Sequence, residues 1–383
     1  MVKKTSGSKS PKPPPRASKA KAGSTSRAAE QQAEEGQTST EEIKAQQRLL
    51  NIFNDTLNEV LSDDDFDAIL QKVKQALFNR DFEAAFGNEQ FLEVYAARWS
   101  PSRALCYSKV LSQVAGDLER PLLAATTTSS EEDEVELGRV SPTVDLEEEE
   151  TSGHGAAFRM LAIGGGAAEI AAFGDYLHAA DPNITGDLTL LDTGPWGEVV
   201  RKLHVSITTP PPLSKYASAA AKESNAALVE PSTRLRSTFI QQDVLQLDRD
   251  SLSRLLGPTP SLVTMLFTLN ELYTSGGIKL TTAFLQNLSV SIAAGSLLLV
   301  VDSPGSYSEA VVGKGARKYP MQWLLDHTLL QADKLPPEGC RWEKMRSHDS
   351  AWFRLAEGLR YPIDLQDMRY QMHLYRATPR PSD

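Results

Sequence analysis

Arg159-Met-Leu-Ala-Ile-Gly-Gly-Gly-Ala-Ala-Glu-Ile-Ala-Ala172 is the stretch whose reading decides the fold. Residues 160–163 form a short apolar run, Gly164, Gly165 and Gly166 follow at once, and an Ala-rich segment with helical spacing comes next. That order reads as a strand, a tight glycine turn and a helix opening. Glycines let the backbone come close to a ligand and take positive φ, and a helix N-terminus presents unpaired N–H groups. Alone, such a turn is a weak signal, and its surroundings give it meaning.

Downstream the chain alternates. Strands are expected at 159–163, 187–191, 237–242, 261–267 and 295–301, with helices at 167–180, 195–204, 247–256, 278–291 and 320–331. Strands separated by helices of this length are βαβ units, and right-handed crossovers give a doubly wound, Rossmann-like parallel sheet of the α/β class. An insertion at 206–236 holds Pro210-Pro211-Pro212. After about residue 346 the rhythm changes: 351–355 is one strand candidate, and Tyr370, Met372 and Leu374 alternate in a second. Two strands with no helix between them suggest an antiparallel pair at one sheet edge. The α/β part is expected over 156–378.

Upstream, residues 1–28 carry eight Lys/Arg and no acid, and 1–38 offer almost nothing to bury, which reads as a disordered basic tail. Its lysines suit a nuclear-localisation signal, an RNA-binding arm or a plain solvated tail. From Ser39 the pattern becomes helical. Ser39-Thr40-Glu41-Glu42 is a capping box, and Leu50, Phe53, Leu57 and Leu61 fall on one face. Phe66, Ile69, Leu70, Val73 and Leu77 make a second helix behind Asp63 to Asp65. Gly87 ends a short piece, Asn88 caps another helix, and Pro101 begins one that reaches about Ala115. A helical domain over 39–121 results. Residues 122–155 read as a mobile acidic loop, since 131–150 contain ten Asp/Glu and one Arg. The formal net charge of −10 therefore conceals a basic end and does not exclude a nucleic-acid partner. Only Cys106 and Cys340 are present, which argues against a disulfide framework or a cysteine zinc site and for a reducing, intracellular location. No apolar run of about 18 residues suggests a membrane span.

In an open α/β sheet, ligands bind beyond the carboxyl ends of the strands. The second strand ends at Asp192, twenty-six residues after Gly166, where a carboxylate can take both hydroxyls of a ribose. The third ends in Gln241-Gln242-Asp243-Val244, and Asp243 can accept from an adenine amine, with Val244 beside it, or can simply cap a helix. A nicotinamide dinucleotide would want a third glycine where this chain has Glu169, and an acid there repels a diphosphate. S-adenosylmethionine carries no phosphate and is cationic, so acids near the turn favour it. Gly164, Gly165, Gly166, Glu169, Asp192, Asp243 and Val244 form the expected donor site.

Phe267-Thr268-Leu269-Asn270-Glu271-Leu272-Tyr273 follows the fourth strand, and Leu297 to Glu309 spans the fifth and its polar turn. With Tyr319-Pro320-Met321 before Trp323-Leu324-Leu325, and Trp352-Phe353-Arg354 ahead of Tyr361-Pro362-Ile363 and Arg369-Tyr370-Gln371, these segments resemble the fungal 25S ribosomal RNA methyltransferase family. The resemblance covers about 49–376, without the acidic loop and the insertion. It implies a class I fold, a seven-stranded sheet whose last strands are antiparallel, S-adenosylmethionine as donor and N3 of a uridine as acceptor. It departs at one point: many class I enzymes have an acid two residues before the first glycine, and here Ala162 stands there.

Uracil N3 carries a weakly acidic proton, so a base is expected beside it. Glu271 is the first candidate and Asp302 the second, with Asn270 facing the base and Tyr307 or Trp196 as stacking partners. Arg98-Trp99-Ser100-Pro101-Ser102-Arg103, then Tyr107 and Lys109, place basic and aromatic side chains at a helix start. Arg98, Arg103 and Lys109 are the expected RNA contacts, while Trp99 and Tyr107 also suit packing between helices. Arg354, Arg360 and Arg369 could extend that surface. The expected partner is large-subunit ribosomal RNA or a preribosomal particle, met by a monomeric chain in the nucleus, nucleolus or cytoplasm. Two other readings compete: a catalytically silent RNA-binding assembly factor, and a methyltransferase for a small molecule or protein.

Overall fold

The computed structural model describes residues 39–128, 157–305, 307–312, 315–331, 335–336 and 338–380. The basic tail and most of the acidic stretch lie outside them. By its contacts the chain divides into Met1–Ile43 and Lys44–Asp383. In the first, Ser39 Oγ accepts the Glu42 N–H at 3.1 Å and starts helix α1 (Thr40–Thr56). The second unit holds all that follows.

Helices α2 (Asn58–Leu61), α3 (Phe66–Phe78), α4 (Phe82–Phe86), α5 (Glu89–Arg98) and α6 (Ser100–Thr128) succeed one another. Asn88 Oδ1 accepts the Phe91 N–H at 3.2 Å, the cap expected of it, and Asp81 does the same for Ala84 at 3.0 Å. Helix α6 runs through Thr128, so the acidic linker expected from 122 begins no earlier than 129. The helix continues past the expected end at Ala115 through Gly116 and Pro121, both poor helix-interior residues, so local propensity does not explain the extension.

The sheet has the order β3-β2-β1-β4-β5-β9-β8. Strands β1 (Ala157–Ile163), β2 (Thr185–Asp192), β3 (Leu235–Gln241), β4 (Leu262–Leu266) and β5 (Leu297–Asp302) are parallel neighbours. The last two strands, β8 (Arg341–Phe353) and β9 (Met368–Thr378), pair antiparallel, and β9 is antiparallel to β5. This is the seven-stranded sheet that the resemblance implies. Crossovers run through α7 (Ala167–Ala179), α8 (Gly197–Thr208), α9 (Ala219–Glu223), α10 (Arg249–Leu256), α11 (Leu269–Ser275) and α12 (Gly277–Ser291). A hairpin of β6 (Tyr307–Val312) and β7 (Gly315–Pro320), absent from the sequence reading, precedes α13 (Met321–Leu329). Strand β8 begins ten residues before the expected 351, because exposed His348 and Asp349 and a bulge between His348 and Ala351 hide its alternation.

Period-2 alternation along β1 explains the two cores. Phe158, Met160 and Ala162 face one side and join a cluster with Leu49, Phe53, Leu111 and Phe173, while Leu161 and Ile163 join α10, α12 and α13 on the other. The N-terminal helices therefore share a continuous apolar core with the sheet. Polar ties reinforce it: Tyr361 Oη donates to the Ala97 carbonyl at 3.0 Å, and Gln47 exchanges hydrogen bonds with the Arg360 backbone at 2.9 and 2.8 Å. Phe53 is fully buried in that core, so Phe53→Ala should cost about 3–5 kcal/mol. Denaturation followed by far-UV circular dichroism and by tryptophan fluorescence should show both signals shifting together. A separate early transition of the helices would contradict the shared core.

Candidate active site

Register brings the strand ends into line. Ile163 lies beside Leu191 and Met265, and Asp192 beside Gln241. Beyond these ends opens a cavity of about 380 Å³ whose walls come from the glycine turn, the β2 and β3 ends, the β4–α11 turn and, from the helices, Phe82, Phe86, Tyr95 and Arg103.

The glycines divide their labour. Gly164 adopts φ +70°, and a Cβ there would lie 2.1 Å from Thr268 Oγ1, so only glycine lets β1 and the β4 end meet this closely. A Cβ on Gly166 would lie 2.9 Å from the Trp196 ring, so its bareness keeps the cavity wall clear. Gly164 and Gly166 line the cavity; Gly165 does not, and instead packs on Ala162, where its Cβ would meet Ala162 Cβ at 2.7 Å.

Glu169 is buried, and its Oε2 accepts the Gly166 N–H at 2.8 Å, filling one orphan donor of α7. Burial raises its pKa to about 7, against the Gly166 and Glu169 backbone bonds and the Arg103 charge that pull it down. Asp192 accepts the Gly194 N–H through Oδ1 at 2.7 Å, and burial raises it to about 6. Asp243 lines the same cavity, yet its Oδ1 accepts the Leu245 N–H at 2.9 Å, so the cap reading and the ligand-facing position coexist. Val244 stands beside it, buried.

Of the three candidate catalytic residues, Glu271 lines the cavity. Burial raises its carboxyl to about 7, with Arg103 pulling it down and Asp192 and Asp302 pushing it up. Asp302 does not belong there. It is 2 % exposed, its Oδ1 accepts the Ser303 N–H at 2.7 Å and its Oδ2 the Asn270 N–H at 3.1 Å, so it clamps the start of α11. Asn270 supplies that backbone donor and lines neither this cavity nor its neighbour. Trp196 forms the wall beside Gly166, and the side chain of Tyr307 lies outside the described residues.

The basic-aromatic segment also divides. Tyr107 is buried, with Oη reaching the Leu266 carbonyl at 3.4 Å, so it is packing rather than a stacking platform. Trp99 packs on Tyr95 with ring centres 4.9 Å apart. Arg103 is no open-surface cation: its guanidinium lies 5.4 Å from the Tyr95 ring and 5.3 Å from Phe267, donates to Tyr95 Oη, and faces the cavity acids. Arg98 sits half-buried over Trp99, and Lys109 is exposed further along α6, lining neither cavity. Sequence reasoning missed Phe82, Glu83, Phe86 and Gly87, which reach the cavity from the helices. No local pattern could have shown that, because the contact depends on α4 closing over the β2 end.

The family profile described as "Putative SAM-dependent methyltransferase" matches residues 53–376. The chain is 27% identical over 346 residues, 86% of its length and 85% of the relative's, to the 25S rRNA (uridine(2843)-N(3))-methyltransferase of Saccharomyces cerevisiae. Among solved structures, the 16S rRNA (adenine(1408)-N(1))-methyltransferase of Catenulisporales acidiphilia aligns with TM-score 0.33 and 13% identity, covering 62% of this chain and 96% of that one. A methyltransferase of Methanosarcina mazei aligns with TM-score 0.31 and 11% identity, over 57% and 92%.

The raised acids give stability a definite pH dependence. With folded values of about 7 for Glu169 and Glu271 and ordinary values near 4.5 unfolded, the folded chain holds more protons between those limits. Their contribution is full below about pH 4.5 and is lost as pH rises through about 7. Glu169→Gln keeps an acceptor for Gly166 and removes the charge. Urea denaturation at pH 5 and pH 8 should find the variant's loss of stability between these values smaller than the wild type's by on the order of 1–3 kcal/mol; identical slopes would contradict the assignment.

Proposed function

The chain belongs to the S-adenosylmethionine-dependent methyltransferase family, and from that premise we propose that it methylates N3 of a uridine in large-subunit ribosomal RNA. The observation that carries the reading is Glu271, an acid with pKa about 7 in the wall of the donor cavity, in a chain related over 86% of its length to a protein named for that reaction.

The donor set suits the cofactor. Glu169, Asp192 and Glu271 surround the cavity with Arg103 as the cation that faces them, which favours a cationic ligand and disfavours a diphosphate. Asp192 at the β2 end would take the ribose hydroxyls, Asp243 the adenine amine, and Gly164 and Gly166 leave room for the methionine part. Glu169 would stand near the amino group, the role left open by Ala162. When bound, the cofactor supplies a methyl group on a sulfonium, ready for displacement.

The protein's own part is to place N3 in line and remove its proton. Glu271 would accept the N3 proton and so free the nitrogen lone pair for the methyl group that the cofactor would supply. Arg103 favours the ionised form of Glu271 and so keeps a base available near neutral pH. A base in folded RNA has to leave its stack to reach this cavity. The basic tail, with its eight Lys/Arg, fits a substrate of RNA and a nuclear or nucleolar place of action.

Transfer of labelled methyl from S-adenosylmethionine to deproteinised large-subunit RNA tests this reading. Glu271→Gln should lower kcat about 10²–10⁴-fold while cofactor affinity changes little. The wild-type rate should rise with pH through about 7, because the base must lose its proton first. An unimpaired Glu271→Gln enzyme would remove Glu271 from the reaction. A further expectation concerns binding: as Glu169 and Asp192 ionise, cofactor affinity should increase between pH 5.5 and 7.5, read by calorimetry as proton release. Flat affinity over that range would contradict the role of the acids.

A further inference from the structure

The strand ends carry a second hollow, of about 220 Å³, on the far side of a wall that Arg103 and Phe267 also present to the donor cavity. Arg98 and Ser102 reach it from the helices, and Asp367, Met368 and Arg369 from the start of β9. Because Gln371 pairs with Asp302, the start of β9 stands beyond the carboxyl end of β5, on the β4–β5 side of the sheet rather than the β1–β2 side. Phe267 itself takes φ +61°, a left-handed conformation costing about 1–3 kcal/mol in a residue with a Cβ, held by its N–H donating to the Val301 carbonyl at 2.7 Å. Strain of this kind collects where a side chain must be aimed.

At the mouth of the hollow stands Trp352, 53% exposed. The Arg354 guanidinium lies 4.1 Å from its ring centre and that of Arg369, its cross-strand partner, 5.8 Å away. Arg369 is further fixed by donating from Nε to Ser350 Oγ at 2.9 Å, and it also lines the hollow. Arg354 pairs with Asp367 at 2.6 Å, which neutralises the acid of the rim. Arg98, Arg354 and Arg369 against Asp367 leave this rim with an excess of positive charge, in a chain whose net charge is −10. A half-exposed indole with two guanidiniums within 5.8 Å of its ring centre gives up much of the packing that the core could offer it. It offers what single-stranded RNA takes: a flat π surface for a base and fixed cations for phosphates.

We propose that Trp352, Arg354 and Arg369 hold the single-stranded RNA flanking the target, and that the hollow behind Arg103 and Phe267 takes up RNA next to the base that enters the donor cavity. The track then delivers the base to Glu271 from the β4–β5 side, while the donor comes from the β1–β2 side. This inference rests on the reading that the substrate is RNA, but not on which atom is methylated.

The test is binding of a fluorescent oligouridylate of about ten nucleotides by the full chain, by anisotropy across a salt series, with methyl transfer to ribosomal RNA measured in parallel. Trp352→Ala should weaken oligonucleotide binding about tenfold and raise the RNA KM, leaving kcat at saturating RNA and cofactor affinity unchanged. Trp352→Phe should recover most of the loss. Arg369→Ala should lower the slope of log affinity against log salt by about one. Unchanged cofactor affinity in each variant reports an intact fold. Trp352→Ala and Arg369→Ala chains that bind like wild type would overturn the track while leaving the methyltransferase reading standing. A wild-type chain that binds no RNA would overturn it as well. A wild-type chain that binds RNA through Trp352 but methylates none would support the track and contradict the reaction.

Discussion

Three carboxyl groups and one guanidinium share the end of this sheet, and the rest of the structure is arranged to keep them there. Glu169, Asp192 and Glu271 are each raised by burial to about 7, 6 and 7. Their mutual repulsion is relieved by Arg103, which also lowers two of them. Arg103 is itself held between the rings of Tyr95 and Phe267. Burying acids without a cation would cost several kcal/mol. Because Arg103 starts on α6 and Tyr95 on α5, the cluster exists only while the helices close on the sheet. The shared apolar core through Phe53, Leu111 and Phe158 holds that closure.

The same constraint explains the glycine turn. Bare positions at 164 and 166 let Thr268 and Trp196 approach, which narrows the distance between the β1, β2 and β4 ends. Glu169 then serves twice, as the cap of α7 and as one of the cavity acids. Asp302 sits one strand away and does a different task, pinning the backbone of Asn270 so that Glu271 projects from the first turn of α11. Two acids only two elements apart in the chain thus differ in place, Glu271 in the cavity wall and Asp302 in support of the backbone.

Much of the fold is legible in the chain because β1–β5 are apolar runs with turns at the expected places, and hydrophobic period is a local property. Strand β8 escapes that reading, since an edge strand with a bulge and exposed charges at Glu343, His348 and Asp349 has no clean alternation. That Gly164, Gly166, Asp192 and Asp243 meet in one cavity is legible because topology fixes which residues end each strand. Residues whose position depends on long-range closure are not. Tyr107 and Lys109 share a helix start with Arg103, yet one is core, one is solvent-exposed, and Arg103 enters the cavity. Asp302 and Glu271 look alike as acids after strands, and only hydrogen-bond partners separate them. Phe82 and Phe86 carry no motif at all.

The central claim is that this cavity places N3 of a ribosomal uridine against a methyl donor, with Glu271 taking the proton. It is tested most directly by digesting large-subunit ribosomal RNA to nucleosides after incubation with the protein and S-adenosylmethionine, and measuring 3-methyluridine by mass spectrometry. The account predicts one new 3-methyluridine per RNA, with no gain from Glu271→Gln. A methyl group found on another nucleoside, or a 3-methyluridine level unchanged by the wild-type protein, would contradict it.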